Sequence, residues 1–326
     1  MPTVLLSAPY MIPTRERFRP VLAHYGVDIL VPEVHERLSE QEIFTYAGQF
    51  DGAMCGDDRF TERALKACLP RLKVLSKWGT GIDSIDREAA LRLGVQVRNT
   101  PNAFTLPVSD SVLGYMLTFA RRLPWMDRAV KGGEWAKLPG RSLSECTIGV
   151  IGVGNIGKAV IRRARAFGPE ILGNDIVPIA PDFILENKVE MTGLEDLLRR
   201  SDFVSVNCDL NPTSRHIINA ETLGWMKPGA VLINTARGPL VDEPALVAAL
   251  QAGRIGGAAL DVFEEEPLPD DSPLRGMDNV MLAAHNCNSS PAAWERVHWN
   301  TIRNLLEGLG IPADDLESVR AKGDAS

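Results

Sequence analysis

The 326-residue chain is short of several things, and each shortage excludes a class of protein. It has five cysteines, at positions 55, 68, 146, 208 and 287, an odd number with no metal-ligand spacing. A disulfide framework or a zinc module needs a more regular pattern, so these read as reduced thiols of a cytoplasmic protein, and no metal site is expected. No purely apolar run approaches the roughly 20 residues of a membrane-spanning helix. The first residues, MPTVLLSAPYMIPTRERF, lack the basic lead and long apolar core of a signal peptide. Positive charge is scarce: 35 Lys and Arg against 42 Asp and Glu leave a net charge of −7, which argues against nucleic acid or a membrane surface as the main partner. Internal repeats, low-complexity tracts and charge blocks are missing too. What remains, 45% hydrophobic and 24% charged residues, is the composition of a soluble globular protein long enough for two domains, each with its own core.

The rest of the chain is organised around Cys146 to Asp175. Thr147–Ile151 is apolar enough for a buried parallel strand, and Gly152, Gly154 and Gly157 follow in Gly-x-Gly-x-x-Gly spacing. A helical run closed by Gly168 leads to a second apolar strand, Ile171–Asn174, which ends at Asp175, 23 residues beyond Gly152. Each part suits a dinucleotide. Gly152 permits a tight turn, Gly154 lets backbone approach a pyrophosphate, and Gly157 lets helix pack on strand. The helix N-terminus offers N–H groups and partial positive charge to phosphates. Asp175 can accept hydrogen bonds from a ribose diol. No Arg or Lys lies between Asp175 and Lys188 to welcome a 2′-phosphate, so the expected cofactor is NAD, not NADP.

Residues 1–98 alternate apolar runs (Thr3–Leu6, Val27–Val31, Gly52–Cys55, Val74–Ser76, Val95–Val97) with helical patterns such as Glu62–Cys68 and Arg87–Leu93. This alternation predicts a parallel α/β sheet without a dinucleotide fingerprint, a substrate-side domain of flavodoxin-like type. After its fourth strand comes KWGTGIDSID, residues 77–86. Thr80, Gly81 and Ile82 there can present N–H groups to an anion. The alternative is a plain strand-to-helix turn capped by Asp83 or Ser84. RNTPNAFT, residues 98–105, reads as a crossing between domains, and Val108–Arg122 as a helix whose apolar stripe is core or subunit contact. Beyond Asp175 four more strands are expected: Phe203–Val206, Val231–Asn234, Ala258–Leu260 and Val280–Ala283. Helices such as Leu194–Arg199 and Glu243–Ala252 separate most of them, and the polar DDLESVRAKGDAS at the end is expected to fray.

In an open parallel sheet, ligands bind beyond the carboxyl ends of the strands. The polar residues just past these ends are Arg237 in NTARGPLVDE, Asp261 and Glu266 in LDVFEEEPLP, and His285 in LAAHNCNSS. Each type suits hydride transfer to a 2-oxo acid. Arg holds a carboxylate and carbonyl with paired donors. His gives or takes a proton near neutrality, and a carboxylate beside it favours the imidazolium. Asp261 can accept from a nicotinamide carboxamide. Glu264 and Glu265 are expected to be solvated neighbours, and His24, His35, His216 and His298 surface or packing residues.

From about Val74 to His285 the sequence resembles the D-isomer-specific 2-hydroxyacid dehydrogenases, the family of D-3-phosphoglycerate dehydrogenase, glyoxylate/hydroxypyruvate reductase, formate dehydrogenase and phosphite dehydrogenase. GTGIDSID, GVGNIGKAV, NTARGPLVDE, ALDVFEEEP and the histidine of AAHN carry the resemblance. It implies Arg237, Glu266 and His285 as catalytic trio. It places cofactor contacts at Asn155, Ile156, Asp175, Cys208, Thr235, Ala236 and Asp261, beside the glycines. Substrate contacts would come from Arg237 and from the loop Lys77–Gly81, namely Lys77, Trp78, Thr80 and Gly81, with the amides of Thr80 and Gly81 on the carboxylate. It further implies a Rossmann NAD-binding domain over residues 101–289 and a smaller, discontinuous substrate domain over 1–100 and 290–326, with the return crossing in residues 286–293. A homodimer through the cofactor domain, near the apolar helix and Trp135, is also implied.

Departures from the family pattern bear on the substrate. Asn207 and Asp209 stand where many relatives carry His and Pro, and HNCNSS replaces a commoner small-apolar run. Lys77 suits a phosphorylated acid, whereas Cys55–Gly56 stands where several phosphoglycerate enzymes place an arginine. The expected reaction is reversible hydride transfer between NAD and a small D-2-hydroxy acid, of phosphoglycerate or glyoxylate/hydroxypyruvate type. The alternatives are an NAD-sensing corepressor-like binding protein and a paralogue acting on phosphite or formate.

Overall fold

The computed structural model of the protein describes residues 1–323; the last three residues of the tail expected to fray lie outside them. The chain forms two compact units, Met1–Phe104 with the segment from Ser290 onward, and Thr105–Ser289. Each is built on one parallel sheet.

The first unit contains β1 (Thr3–Leu6), β2 (Asp28–Leu30), β3 (Gly52–Cys55), β4 (Val74–Lys77) and β5 (Gln96–Arg98), in the order β2-β1-β3-β4-β5. All four pairings are parallel, which is the flavodoxin-like order. β3 and β4 are buried along their whole length, which is why they read as apolar runs and not as alternating ones. The helix Pro291–Gly308, capped by Ser290, lies against them so closely that a side chain on Gly308 would meet Val74 Cγ2 at 2.4 Å. That helix was not foreseen, because the proline that begins it looks like a breaker when read without its cap. Within the described residues, the segment expected to fray forms a helix. Leu316–Gly323 is helical, Leu316 is buried, and the Arg320 guanidinium reaches Glu295 Oε1 at 3.1 Å.

The second unit contains β6 (Thr147–Ile151), β7 (Glu170–Asn174), β8 (Val189–Met191), β9 (Phe203–Val206), β10 (Val231–Asn234), β11 (Gly257–Leu260) and β12 (Val280–Leu282). Their order is β12-β11-β10-β9-β6-β7-β8, all parallel, which is the doubly wound Rossmann arrangement with a seventh strand at the far edge. β8 escaped the sequence reading; it is a three-residue edge strand with little burial to pattern it. The apolar stripe of the helix Thr105–Arg121 is core: Val112, Leu113, Met116 and Phe119 are buried against β6 and β10 residues. The next helix, Leu123–Lys131, has no fully buried side chain, although Trp125 is half-buried against that core.

In the first unit the indole N–H of Trp78 donates to Nδ1 of the buried His298 at 2.9 Å. Burial pushes the His298 pKa down to about 4 from 6.5. Between those two values the unfolded chain binds the proton and the folded chain does not, so stability is complete above pH 6.5 and is lost as pH falls, by at most about 1.4 kcal/mol per unit. The melting temperature should therefore fall more steeply on acidification in the native protein than in His298→Gln, which keeps an acceptor for Trp78 but does not titrate. Parallel melting curves of the two proteins from pH 7.5 to 5 would contradict this.

Candidate active site

Where the strand order of the second unit reverses, between β6 and β9, the glycine loop emerges. Its three glycines answer to three different constraints. Gly152 has φ +86°, and a Cβ there would stand 2.5 Å from the backbone nitrogen of Cys208, at the end of the neighbouring strand. A Cβ on Gly157 would lie 2.0 Å from the carbonyl oxygen of Gly152. Gly154, by contrast, has no atom within 4 Å of where its Cβ would be. The fold needs Gly152 and Gly157; the open space over Gly154 suits a ligand.

Gly154 is also the N-cap of the 11-residue helix Asn155–Arg165, and no side chain caps it. The first turn of this helix thus starts without a side-chain cap beside the open space over Gly154, the arrangement a phosphate cradle needs. Asp175 braces the loop from the end of β7: its carboxylate accepts from Val153 N–H at 2.6 Å and from Val177 N–H at 2.9 Å. Thr235, past β10, is buried with a hydroxyl that finds no hydrogen-bond partner among the described residues. The half-buried Cys208 is held as a thiol, its pKa raised to about 11 by burial. An uncapped helix start, an open glycine and an orphaned hydroxyl together fit a dinucleotide.

The same rim carries the trio. β10, β11 and β12 are neighbours and parallel, so Arg237, Glu266 and His285 leave the sheet from one edge. Glu266 is bound at both oxygens: Oε1 accepts from Phe263 N–H at 3.0 Å, and Oε2 lies 3.1 Å from His285 Nδ1. His285 has φ +49°, a left-handed conformation costly for a residue with a Cβ. It is held there by its own N–H on the Asp261 carbonyl at 2.8 Å. The Asp261 carboxylate accepts from the next two amides, Asn286 at 2.8 Å and Cys287 at 2.9 Å. With 1% exposure, Asp261 shapes the histidine turn.

Arg237 is shaped from below by a residue that sequence reasoning passed over. The buried Asn234 accepts from Ala236 N–H at 3.1 Å and donates to the Arg237 carbonyl at 2.8 Å, closing a side-chain turn under the arginine. The Arg237 guanidinium in turn donates to the Ala236 carbonyl at 2.8 Å. The next residue, Gly238, touches the loop after β11: a Cβ on it would lie 1.8 Å from the Phe263 carbonyl oxygen. The arginine and glutamate loops are mated by this contact. Glu265 is exposed as expected, but Glu264 is not simply solvated, since it lies 2.6 Å from His216 Nε2.

In the first unit the structure revises the proposed substrate loop. Lys77 is buried; its ammonium donates to the Trp78 carbonyl at 2.9 Å and pairs with Asp57 at 3.2 Å. Trp78 stacks on Tyr10, with centroids 4.4 Å apart, and is 4% exposed, so it belongs to the core and is not offered to a ligand. Thr80 and Gly81 remain accessible, and their amides meet no acceptor among the described residues. The helix that follows is capped by Asp86, which accepts from Ala89 N–H at 2.9 Å, not by Asp83 or Ser84. Near the dinucleotide loop, the Asn207 amide folds back onto Ser205. Among the described residues no cluster of metal-ligating side chains occurs, and no helix is long and apolar enough to cross a membrane.

Residues 113–287 match the family model for the NAD-binding domain of the D-isomer specific 2-hydroxyacid dehydrogenases. The chain is 39% identical over 278 residues to the glyoxylate reductase of Thermofilum pendens, covering 83% of this chain and 82% of that one. It is 43% identical over 227 residues to the D-3-phosphoglycerate dehydrogenase of Methanocaldococcus jannaschii, covering 68% of this chain but only 43% of that much longer relative. Among solved structures, the D-lactate dehydrogenase of Aquifex aeolicus complexed with NAD and lactic acid superposes with a TM-score of 0.82 at 28% identity, over 98% of each chain.

The glycine geometry separates binding from folding. Gly154→Ala, at φ −75° and in open space, should leave the melting temperature nearly unchanged yet weaken NADH binding at least about tenfold, as a methyl group enters the cradle. Gly157→Ala should instead unfold the loop, because its Cβ has nowhere to go. Fluorescence titration and thermal melts of the two variants read both effects.

Proposed function

Given that the chain belongs to the family of D-isomer-specific 2-hydroxyacid dehydrogenases, which are NAD-dependent oxidoreductases, we propose that it interconverts a small D-2-hydroxy acid and its 2-oxo acid. The observation that carries this reading is the 3.1 Å contact of His285 Nδ1 with Glu266, on the rim that also bears Arg237 and the glycine loop. Asn155, Ile156, Asp175, Cys208, Thr235 and Ala236 are the residues that would line the cofactor, and bound NAD supplies the hydride acceptor.

The chain's own residues divide the remaining work. Arg237 holds the substrate carboxylate and carbonyl by paired N–H donors. His285, steered through Nδ1 by Glu266, takes the hydroxyl proton at Nε2 as the C2 hydride departs, and returns it in the reductive direction. The carboxylate favours the imidazolium form that follows proton uptake. The accessible amides of Thr80 and Gly81 are further anion donors within the first unit.

The ion pair that occupies Lys77 supports an unphosphorylated substrate of glyoxylate or hydroxypyruvate type. The match to a glyoxylate reductase over 83% of this chain and 82% of that one points the same way. Cytosolic placement and a homodimer belong to the same reading. The latter is supported by the exposed Leu123 and Val130 of the helix Leu123–Lys131 and by Trp135 at 86% exposure.

His285→Ala should lower kcat by roughly 100- to 10,000-fold with the best 2-oxo acid, the usual cost of a lost general acid–base. Near-normal turnover would refute the assignment. In a screen of NADH oxidation, glyoxylate and hydroxypyruvate should outperform phosphohydroxypyruvate, and NADPH should serve poorly; comparable NADPH use would contradict the role given to Asp175.

A further inference from the structure

A second histidine–glutamate pair stands beside the trio, outside every role assigned so far. His216 lies in the connection between β9 and β10. Like His285 it has a left-handed backbone, φ +51°. Its N–H donates to the carbonyl of Pro239, two residues past Arg237, at 2.9 Å. Two residues on, Ile218 N–H donates to the Leu240 carbonyl at 3.1 Å, so this segment is stitched by its backbone to the arginine loop. Its ring reaches the other loop, with Nε2 2.6 Å from Oε1 of Glu264, two residues before Glu266.

Glu264 is itself well placed to receive it. Its other oxygen accepts from Glu243 N–H at 3.4 Å, its own N–H donates to Glu243 Oε2 at 3.3 Å, and the Arg215 guanidinium is 3.9 Å away. The two side chains are 34% and 26% exposed, too shielded for an idle surface pair. The mechanical logic follows from the Gly238 contact. Close packing of Gly238 on Phe263 is repulsive at short range: it stops the arginine and glutamate loops from approaching further, and does little to stop them from separating. The His216–Glu264 bond acts in the opposite sense, across the same junction.

We propose that His216 and Glu264 are a positioning pair that holds the Glu266 loop against the Arg237 loop, so that Glu266 meets His285 Nδ1 while Arg237 keeps its place. This rests on the roles given above to Arg237, Glu266 and His285. Neither member of the pair touches substrate; they act through their neighbours.

The test is kinetic. His216→Phe, Glu264→Ala and the double variant are compared with the native protein and with His285→Ala, using the best 2-oxo acid and NADH. Each single substitution should lower kcat by roughly 3- to 100-fold, the span expected for touching residues, and the double variant should be no worse than the poorer single. NADH affinity, read by fluorescence, should stay within about twofold, because the glycine loop does not depend on this contact. His216→Gln, which can still donate to Glu264, should recover most of kcat. Native kcat in the single variants, losses that multiply in the double, or NADH affinity falling in step with kcat would overturn the proposal. If His216→Phe does not fold, Glu264→Ala decides alone by the same two readings. An active His285→Ala would defeat the trio and this inference together; an inactive His285→Ala beside a fully active Glu264→Ala would defeat only this inference.

Discussion

The nearest approach of the β10 and β11 loops is set by one contact, the backbone of Gly238 against the carbonyl of Phe263. Any side chain at position 238 would overlap that carbonyl, so the two loops leave the sheet pressed together. Arg237 is the residue before the contact and Glu266 follows Phe263 by three. The register of β10 on β11, with Asn234 opposite Leu260, delivers both loops to the same height. Close packing thus sets the nearest approach of the arginine and glutamate loops to the precision of a van der Waals contact, and the His216–Glu264 bond spans the same junction.

Backbone strain enters at His285 and is offset by a buried acid. A left-handed histidine is costly, and the turn persists because Asp261 uses its carbonyl and its carboxylate to bind three successive amides, those of residues 285, 286 and 287. The result is a ring aimed by its backbone and steered by Glu266 at one nitrogen. In the first unit the same economy of buried charge recurs. Lys77 is paired with Asp57, and the neighbouring Asp58 is buried on Ser7 Oγ and Leu38 N–H with its pKa raised to about 6 by desolvation. Ser7, Asp57, Asp58 and Lys77 sit at or just past the carboxyl ends of β1, β3 and β4, where a flavodoxin-like sheet meets its ligands.

Much of the fold was legible because the central strands are buried on both faces. Thr3–Leu6, Gly52–Cys55, Thr147–Ile151, Phe203–Val206 and Val231–Asn234 stand in the structure as read, since a fully buried parallel strand must be an unbroken apolar run. Val189–Met191 was missed because a three-residue edge strand with one buried side chain is too short to show a pattern. The helix Pro291–Gly308 was missed in favour of a crossing, since Ser290 and Pro291 look like a linker until the cap at Ala293 N–H is seen. Residues misjudged one at a time share a cause. Trp78 and Glu264 are polar or amphipathic groups near ligand-bearing ends, and their partners lie up to 220 residues away in sequence.

The amino-acid order by itself determined the two α/β halves, the glycine turn and its acid, and the strand ends from which Arg237, Glu266 and His285 depart. Those features are local: they follow from periodicity, from burial and from where glycine alone is tolerated. Tertiary structure alone decided which polar groups serve the backbone and which remain for chemistry, because a carboxylate's role depends on the amides it meets. Asp261 and Glu266 are five residues apart in one loop, yet the first is enclosed by the histidine turn while the second bonds the histidine ring. Only the pairing of distant loops could separate them.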